Sequence, residues 1–389
     1  MDSFPKESVN HHILEKHHLT NDSNVDDILK ITKDLCGLQA TGTFEPYVYL
    51  FSRKKGFRKE ELDKELYKTK TLLKVRGMRN TMFIVTKDDA PILHEATNYL
   101  KENRFEGFFN YSDFTRKEYD ELESKILQVL KKESLIATDI KKRIGSDRNI
   151  SIIISLMCDK LLLVRDKPPK GWKDRRNTYT LMKNSFPELN FEYLEEIEAI
   201  QSLVLGYIKA YGPVTEQDIT WWVGLTRTKA RRAIESIQSQ IERITLSDEI
   251  YYIVKSDIKS LKNLSVPKDP VINLLANLDP YLMGYKNRRR FINDDIYDFV
   301  FDRSGNATTT ILLNGVVIGI WDFQANPAPI VKILLFQEIT KEILKVIKKQ
   351  AKLIGEFILE QDVKIQECKN PIPLTKRSAG TFMRPLKNF

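Results

Sequence analysis

Apolar and polar positions change period twice between Tyr207 and Lys255, and each change marks an element. Ala230, Ala233, Ile234 and Ile237 recur at helical spacing, with Arg227, Lys229, Arg231 and Arg232 around the rest, which predicts a helix over 227–238. Ile241 to Leu246 and Ile250 to Val254 then alternate as two strands about Ser247-Asp248-Glu249. Upstream, Gly212-Pro213 breaks one helix, Thr215 caps the next above Glu216 and Asp218, Gly224 ends it and Thr226 caps the third. Helices followed by a hairpin make the winged-helix pattern, whose second helix of the helix-turn-helix is the usual reader of a DNA major groove.

The same order precedes it. A helix is predicted over 119–131, a second over 139–144 with Thr138 as cap, and an apolar third over 149–160. Leu161 to Val164 and Thr178 to Leu181 are the strands. The loop between them carries Arg165, Lys167, Lys170, Lys173, Arg175 and Arg176 against only Asp166 and Asp174, with Trp172 among them. That composition suits an extended wing touching phosphates, with the indole as a stacking group. A third copy is expected at the N-terminus: helices over 12–18, 25–35, 47–53 and 59–68, strands over 72–78 and 81–86 turned by Met78-Arg79-Asn80, then one helix from Asp88 to about Arg104.

Beyond Pro270 the pattern becomes strand-rich. Ile296 to Asp302 and Thr308 to Leu313 flank Arg303-Ser304-Gly305-Asn306, which predicts a hairpin with Arg303 at its tip, a candidate probe of a groove. Asn314-Gly315 predicts another. A strand over 330–336, a long helix over 338–361 and a closing strand over 363–367 follow. The expected class is α+β: tandem winged-helix modules forming a clamp, then a small β-barrel or sheet with one long helix. The expected units are 1–110, 111–190, 191–265 and 266–389.

Composition narrows the partners. A net charge of +9 over 389 residues favours a polyanion. Three cysteines, none paired as CxxC, support neither a zinc ribbon nor a disulfide scaffold and fit a reducing cytoplasm. No apolar run approaches a membrane span. His11, His12, His17 and His18 cluster without matching carboxylates or cysteines, so a polar helix face is expected there and no metal.

Five landmarks in order carry a resemblance: Leu35-Cys36-Gly37-Leu38-Gln39-Ala40 before Leu50-Phe51-Ser52-Arg53; Arg76 to Met82; Gly212 to Thr215 with Asp218 and Trp222-Val223-Gly224; Leu278 to Leu282 with Arg288; and Leu313 to Trp321. The chain resembles the AlkZ/YcaQ-type winged-helix DNA glycosylases from about residue 10 to 325. The resemblance implies a clamp on double-stranded DNA, damaged or intact, excision of N7-alkylated purines or unhooking of crosslinks, no cofactor, and a monomer in the cytoplasm, associated with the nucleoid. The family signature Gln-x-Gln or Gln-x-Asp falls on Gln39 and Thr41, so here it reads Gln-Ala-Thr, and Phe83 stands where many relatives carry histidine. A glutamine orients water by hydrogen bonding without titrating, and a threonine hydroxyl holds water but cannot take its proton. That suffices for a base already made cationic by N7 alkylation. The reading of a different class is a non-enzymatic winged-helix DNA-binding protein.

Overall fold

Local signals fix element ends where the sequence supplies them. Thr215 Oγ1 accepts from the Asp218 N–H at 3.1 Å and Asp218 Oδ2 accepts from the Thr215 N–H at 3.0 Å, a closed capping box. Gly224 ends that helix at φ 88°, and Thr226 caps the next. The computed structural model describes residues 4–191, 194–246 and 248–376, so Ser247 of the predicted turn lies outside the described residues.

The N-terminal part runs α1 (Lys6–Lys16), α2 (Ile28–Asp34), β1 (Leu38–Gln39), α3 (Glu45–Phe51), α4 (Lys59–Tyr67), β2 (Leu72–Arg76) and β3 (Met82–Thr86), with sheet order β1-β3-β2. Next come α5 (Ala90–Ala96), α6 (Asn98–Tyr111), α7 (Arg116–Val129), β4 (Leu135–Ile136), α8 (Ala137–Arg143), α9 (Ser151–Asp159), β5 (Leu163–Asp166), β6 (Thr178–Leu181) and α10 (Met182–Ser185), with sheet order β4-β6-β5. Then α11 (Glu196–Tyr211), α12 (Glu216–Val223) and α13 (Arg227–Ser236) lead into the hairpin β7 (Ile241–Leu246) and β8 (Glu249–Val254), followed by α14 (Lys255–Asn263). The C-terminal part holds β9 (Ile272–Leu275), α15 (Pro280–Met283), α16 (Tyr297–Val300), β10 (Thr310–Leu313), β11 (Val316–Gln324), β12 (Ile330–Leu335), α17 (Lys341–Leu359) and β13 (Lys364–Glu367).

Three apolar cores organise these elements. One joins α1, β2, β3 and α5 to α11–α13 and the β7–β8 hairpin. A second packs α2, α3 and α4 against the C-terminal sheet and α17, through Tyr47, Leu50, Leu62, Trp321, Ile347 and Ile354 among others. Only the third, around Tyr119, Ile126, Ile153, Leu156 and Leu163, is confined to one stretch of chain. The N- and C-terminal parts therefore stabilise each other, while the middle part carries its own core.

Several expectations are corrected. Of the two C-terminal alternatives, barrel or sheet, the structure has the sheet, open in the order β13-β12-β11-β10-β9. Its edges β9 and β13 each pair on one side only, and the α17 stripe Ile347, Ala351, Ile354 and Ile358 covers one face. Asn314 and Gly315 do make the expected turn, at φ 49° and 77°. The segment 296–302 is not a strand: 297–300 is helical and only Phe301 bridges Ala307. Tyr297 and Phe301 stack with centroids 5.0 Å apart, an i,i+4 contact that needs helical backbone. The helix expected from Asp88 to Arg104 breaks at Thr97, whose buried Oγ1 donates back to the Leu93 carbonyl at 2.6 Å. Thr138 lies inside α8, whose N-cap is Ile136. The histidines do not form a polar face: His11 and His12 are buried, and His17 is fully so between Tyr211 and Tyr281 at 4.9 and 5.6 Å. Burial, then Arg53 and Arg290, hold His17 well below its ordinary pKa. Among the described residues no group of three or more metal-ligating side chains forms. No helix among them is long and apolar enough to cross a membrane.

Candidate active site and basic loops

Gln39 is placed by the shortest strand in the molecule's first sheet. Cys36 and Gly37, at φ 55° and 100°, turn the chain out of α2, and a side chain at Gly37 would press on Val85 and the Ile84 carbonyl. Leu38 then pairs with Ile84 and Gln39 with Phe83, and the Ala40 N–H donates to the Met82 carbonyl at 2.7 Å before the strand ends. Gln39 is 6% exposed, with Nε2 3.5 Å from Thr41 Oγ1, a long contact. Thr41 is exposed. The structure thus brings the two signature positions side by side, one fixed and one facing solvent.

A third polar group joins them. Glu45 opens α3, and its carboxylate folds back over Gly42, where any Cβ would collide with it. Its Oε2 is buried without a hydrogen-bond partner. Burial raises the carboxyl pKa, while the Phe44 and Glu45 backbone N–H groups and Arg175 draw it down. Sequence reasoning passed over Glu45, because an acid in the first turn of a helix reads simply as favourable to the helix dipole. The Thr-Gly-Thr spacer before it was the available signal, since glycine permits the fold-back.

The rear of the turn is anchored hard. Arg53 makes paired hydrogen bonds of 2.9 and 2.7 Å to Asp279, both side chains at 0% exposure, and donates to the Tyr49 carbonyl. This joins the landmark in α3 to the one at Asp279-Pro280.

Trp172 is corrected from a DNA-stacking group to a packing group. Its indole meets Phe44, Tyr47 and Phe357 at centroid distances of 6.4, 5.1 and 5.6 Å, and its Nε1 donates to Glu360 at 3.1 Å. Lys59 sits over its ring and pairs with Glu360, as does Lys173 at 3.5 Å. The β5–β6 loop therefore docks on α3 and the end of α17, beside the 39–45 turn. Arg176 is held by Asp174 at 2.8 Å, and Arg165 lies half-buried near Cys158 and Tyr179. Lys167, Lys170 and Arg175 are exposed and make no ion pair among the described residues.

The basic helix α13 is largely neutralised by its neighbours. Arg227 and Arg231 meet Glu216 at 3.4 and 3.0 Å, and Lys229 pairs with Glu196, which leaves Arg232 exposed without an ion pair among the described residues. Arg303 is exposed on the 302–306 turn, which Asp302 ties by accepting from the Ser304 and Asn306 N–H groups. That turn edges a cavity of about 220 Å³ lined by Trp221, Lys286, Arg288 and Arg303. Arg79, at φ 51° on the β2–β3 connection, lies 4.1 Å over Trp221 with its Nε buried and unpartnered. Burial and Arg288 lower its pKa to about 10.

Comparison with known proteins gives a consistent result. The model of a family described as "DNA glycosylase AlkZ-like" matches residues 32–357. The chain is 22% identical over 306 residues to the interstrand DNA cross-link repair glycosylase of Streptomyces sahachiroi, covering 74% of this chain and 80% of that protein. The solved structure of the Streptomyces sahachiroi DNA glycosylase AlkZ is similar with a TM-score of 0.75, over 93% of this chain and 99% of that one, at 15% identity; this likeness speaks to the fold.

Proposed function

The chain belongs to the AlkZ-like DNA glycosylase family, and from that premise we propose that it is a cofactor-independent, monofunctional glycosylase that hydrolyses the N-glycosidic bond of N7-alkylated purines or N7 crosslinks in duplex DNA. In this reading the repeated helix-hairpin units act as winged-helix modules of a clamp. The observation that carries it is Gln39, locked by strand pairing at the sheet edge with its amide beside Thr41.

The chemistry asks little of the protein. N7 alkylation leaves the purine positively charged. As the C1′–N9 bond breaks, its electron pair neutralises the base, and a water oxygen bonds to C1′. The side chains must orient that water and stabilise the oxocarbenium-like sugar. The Gln39 carboxamide, nearly buried and unable to wander, offers an acceptor to the water or a donor to the sugar. Thr41 Oγ1 offers a second contact from the solvent side. Lys167, Lys170 and Arg175 supply the exposed positive charge beside the turn for phosphates.

The test is single-turnover release of 7-methylguanine from a defined methylated duplex, and unhooking of an N7–N7 guanine crosslink, by purified protein. Release that saturates with enzyme supports the reading. No release from any N7-alkyl lesion or crosslink, with duplex binding intact, gives the answer to the non-enzymatic DNA-binding alternative.

A further inference from the structure

The signature pair of this site contains no acid, yet a carboxylate lies next to it. We infer that Glu45 is the base of the site, supplying from one turn downstream the proton acceptor that position 41 does not provide. This rests on the glycosylase reading above and deepens it.

The geometry has three parts. Glu45 is not turned to solvent along α3; it bends back until its carboxylate occupies the space above the Gly42 Cα, one residue from Thr41. Gly42 makes this possible, because any larger residue would push the carboxylate aside. Its Oε2 is buried with no donor, so an acceptor stands ready and unused. The neighbouring acids are spent: Asp279 on Arg53, and Asp63 on the Tyr47 hydroxyl at 2.6 Å. The titratable and charged groups that face Glu45 are Arg175 from the wing and Tyr49 from the next turn of α3, with Arg53 and Asp279 beyond Tyr49. Burial raises its pKa, which makes it a stronger base than a solvated carboxylate.

The step balances simply. Water attacks C1′ as the bond to N9 breaks with its electron pair going to the base. The proton that the water loses passes to Glu45 Oε2, and the carboxylic acid releases it to solvent after the free base departs. Gln39 holds the same water by its amide and takes no proton.

The experiment compares wild type, Glu45→Gln, Gly42→Ala, and Glu45→Gln combined with Thr41→Asp, in single-turnover release of 7-methylguanine over about pH 4.5–8.5. In the wild type the rate falls on the acid side as Glu45 is protonated. In Glu45→Gln the rate at neutral pH drops about 100-fold and the acid limb disappears, in the range expected for loss of a general base. Duplex affinity stays within about two-fold. Thr41→Asp in that background returns at least about ten-fold, because a carboxylate is restored beside Gln39. Gly42→Ala, which displaces the carboxylate without removing it, loses about ten-fold. Glu45→Gln with wild-type rate and pH profile overturns the inference and leaves the glycosylase reading standing. So does a Glu45→Gln loss that Thr41→Asp fails to rescue while folding and DNA affinity also fall, since that marks a role in holding α3. Absence of release by the wild type overturns both.

Discussion

Removing Asp279 should expose how much the rear anchor of the site contributes. In Asp279→Leu the Arg53 guanidinium keeps its charge at 0% exposure and loses both 2.7–2.9 Å bonds, retaining only the Tyr49 carbonyl. Its Nε is already buried without a partner, so no local acceptor takes over. Breaking one side of a buried pair costs about 3–5 kcal/mol, because the remaining charge stays uncompensated. Asp279 also caps α15 by accepting from the Tyr281 N–H at 2.9 Å, and losing a cap costs about 1 kcal/mol. With about 2 °C per kcal/mol for a large cooperative unit, the pair alone shifts Tm down by about 6–10 °C. The double variant Arg53→Met with Asp279→Leu removes both charges and fills the space with apolar groups. It should lose much less than either single change, with the cap as its main deficit. Thermal unfolding followed by far-ultraviolet circular dichroism measures all four proteins of the cycle. If the double variant falls by the sum of the singles, the two residues act independently and the reasoning fails.

Other outcomes follow from the same structure. Gln39→Ala should lower the single-turnover excision rate by at least about ten-fold, with Thr41→Val costing less, while fluorescence-anisotropy titration shows DNA binding retained; full activity in Gln39→Ala would remove it from the site. Replacing Lys170, Lys173, Arg175 and Arg176 with alanine should weaken duplex binding, yet flatten the salt dependence by about 2 rather than about 4 contacts' worth, since each phosphate contact adds about 0.9 to the slope and Lys173 and Arg176 are already paired. Burial lowers the pKa of Lys101 to about 7 and of Lys74 to about 8. Unfolded lysine titrates near 10.4, so above about pH 7 the folded state binds fewer protons and stability rises with pH. From about pH 7 to 8.5 unfolded thiols are only beginning to ionise. Denaturant midpoints should therefore climb across that window, and the climb should vanish in Lys74→Met with Lys101→Met. A flat profile in the wild type would refute the assignment.

Features decided within a few residues were legible in the chain. The cap at Thr215, the stop at Gly224, the cap at Thr226 and the Asn314-Gly315 turn all depend on neighbours in sequence, and each stands where the pattern put it. Features decided across the fold were not. Trp172 amid basic residues reads the same whether it faces a nucleobase or three aromatic rings from α3 and α17. The histidines look polar until α11 and α15 bring Tyr211 and Tyr281 around His17. The run 296–302 alternates like a strand, but the Tyr297–Phe301 stack wins locally. Gln39 and Thr41 were legible as a pair from the resemblance, whereas for Glu45 the chain offers only Gly42, which permits the side chain to double back but does not require it.

Trp172 has a mechanical consequence. The middle part of the chain has its own core, yet it is held to the N-terminal sheet by Arg76 of β2, which pairs with Asp159 at 2.8 Å and donates to Ser155, and by Val164, which joins the core around β2 and β3. The docked indole adds an attachment on another side, to α3 and α17, and Glu360, at the left-handed end of α17, is its cleat. Any widening of the gap between the 105–181 unit and the α17 end must therefore begin by drawing one ring out of its nest of Phe44, Tyr47 and Phe357 and releasing Glu360 from Trp172 and Lys173. Opening on that side becomes a discrete event, the release of one ring and its carboxylate partner, instead of a continuous flexing of the loop.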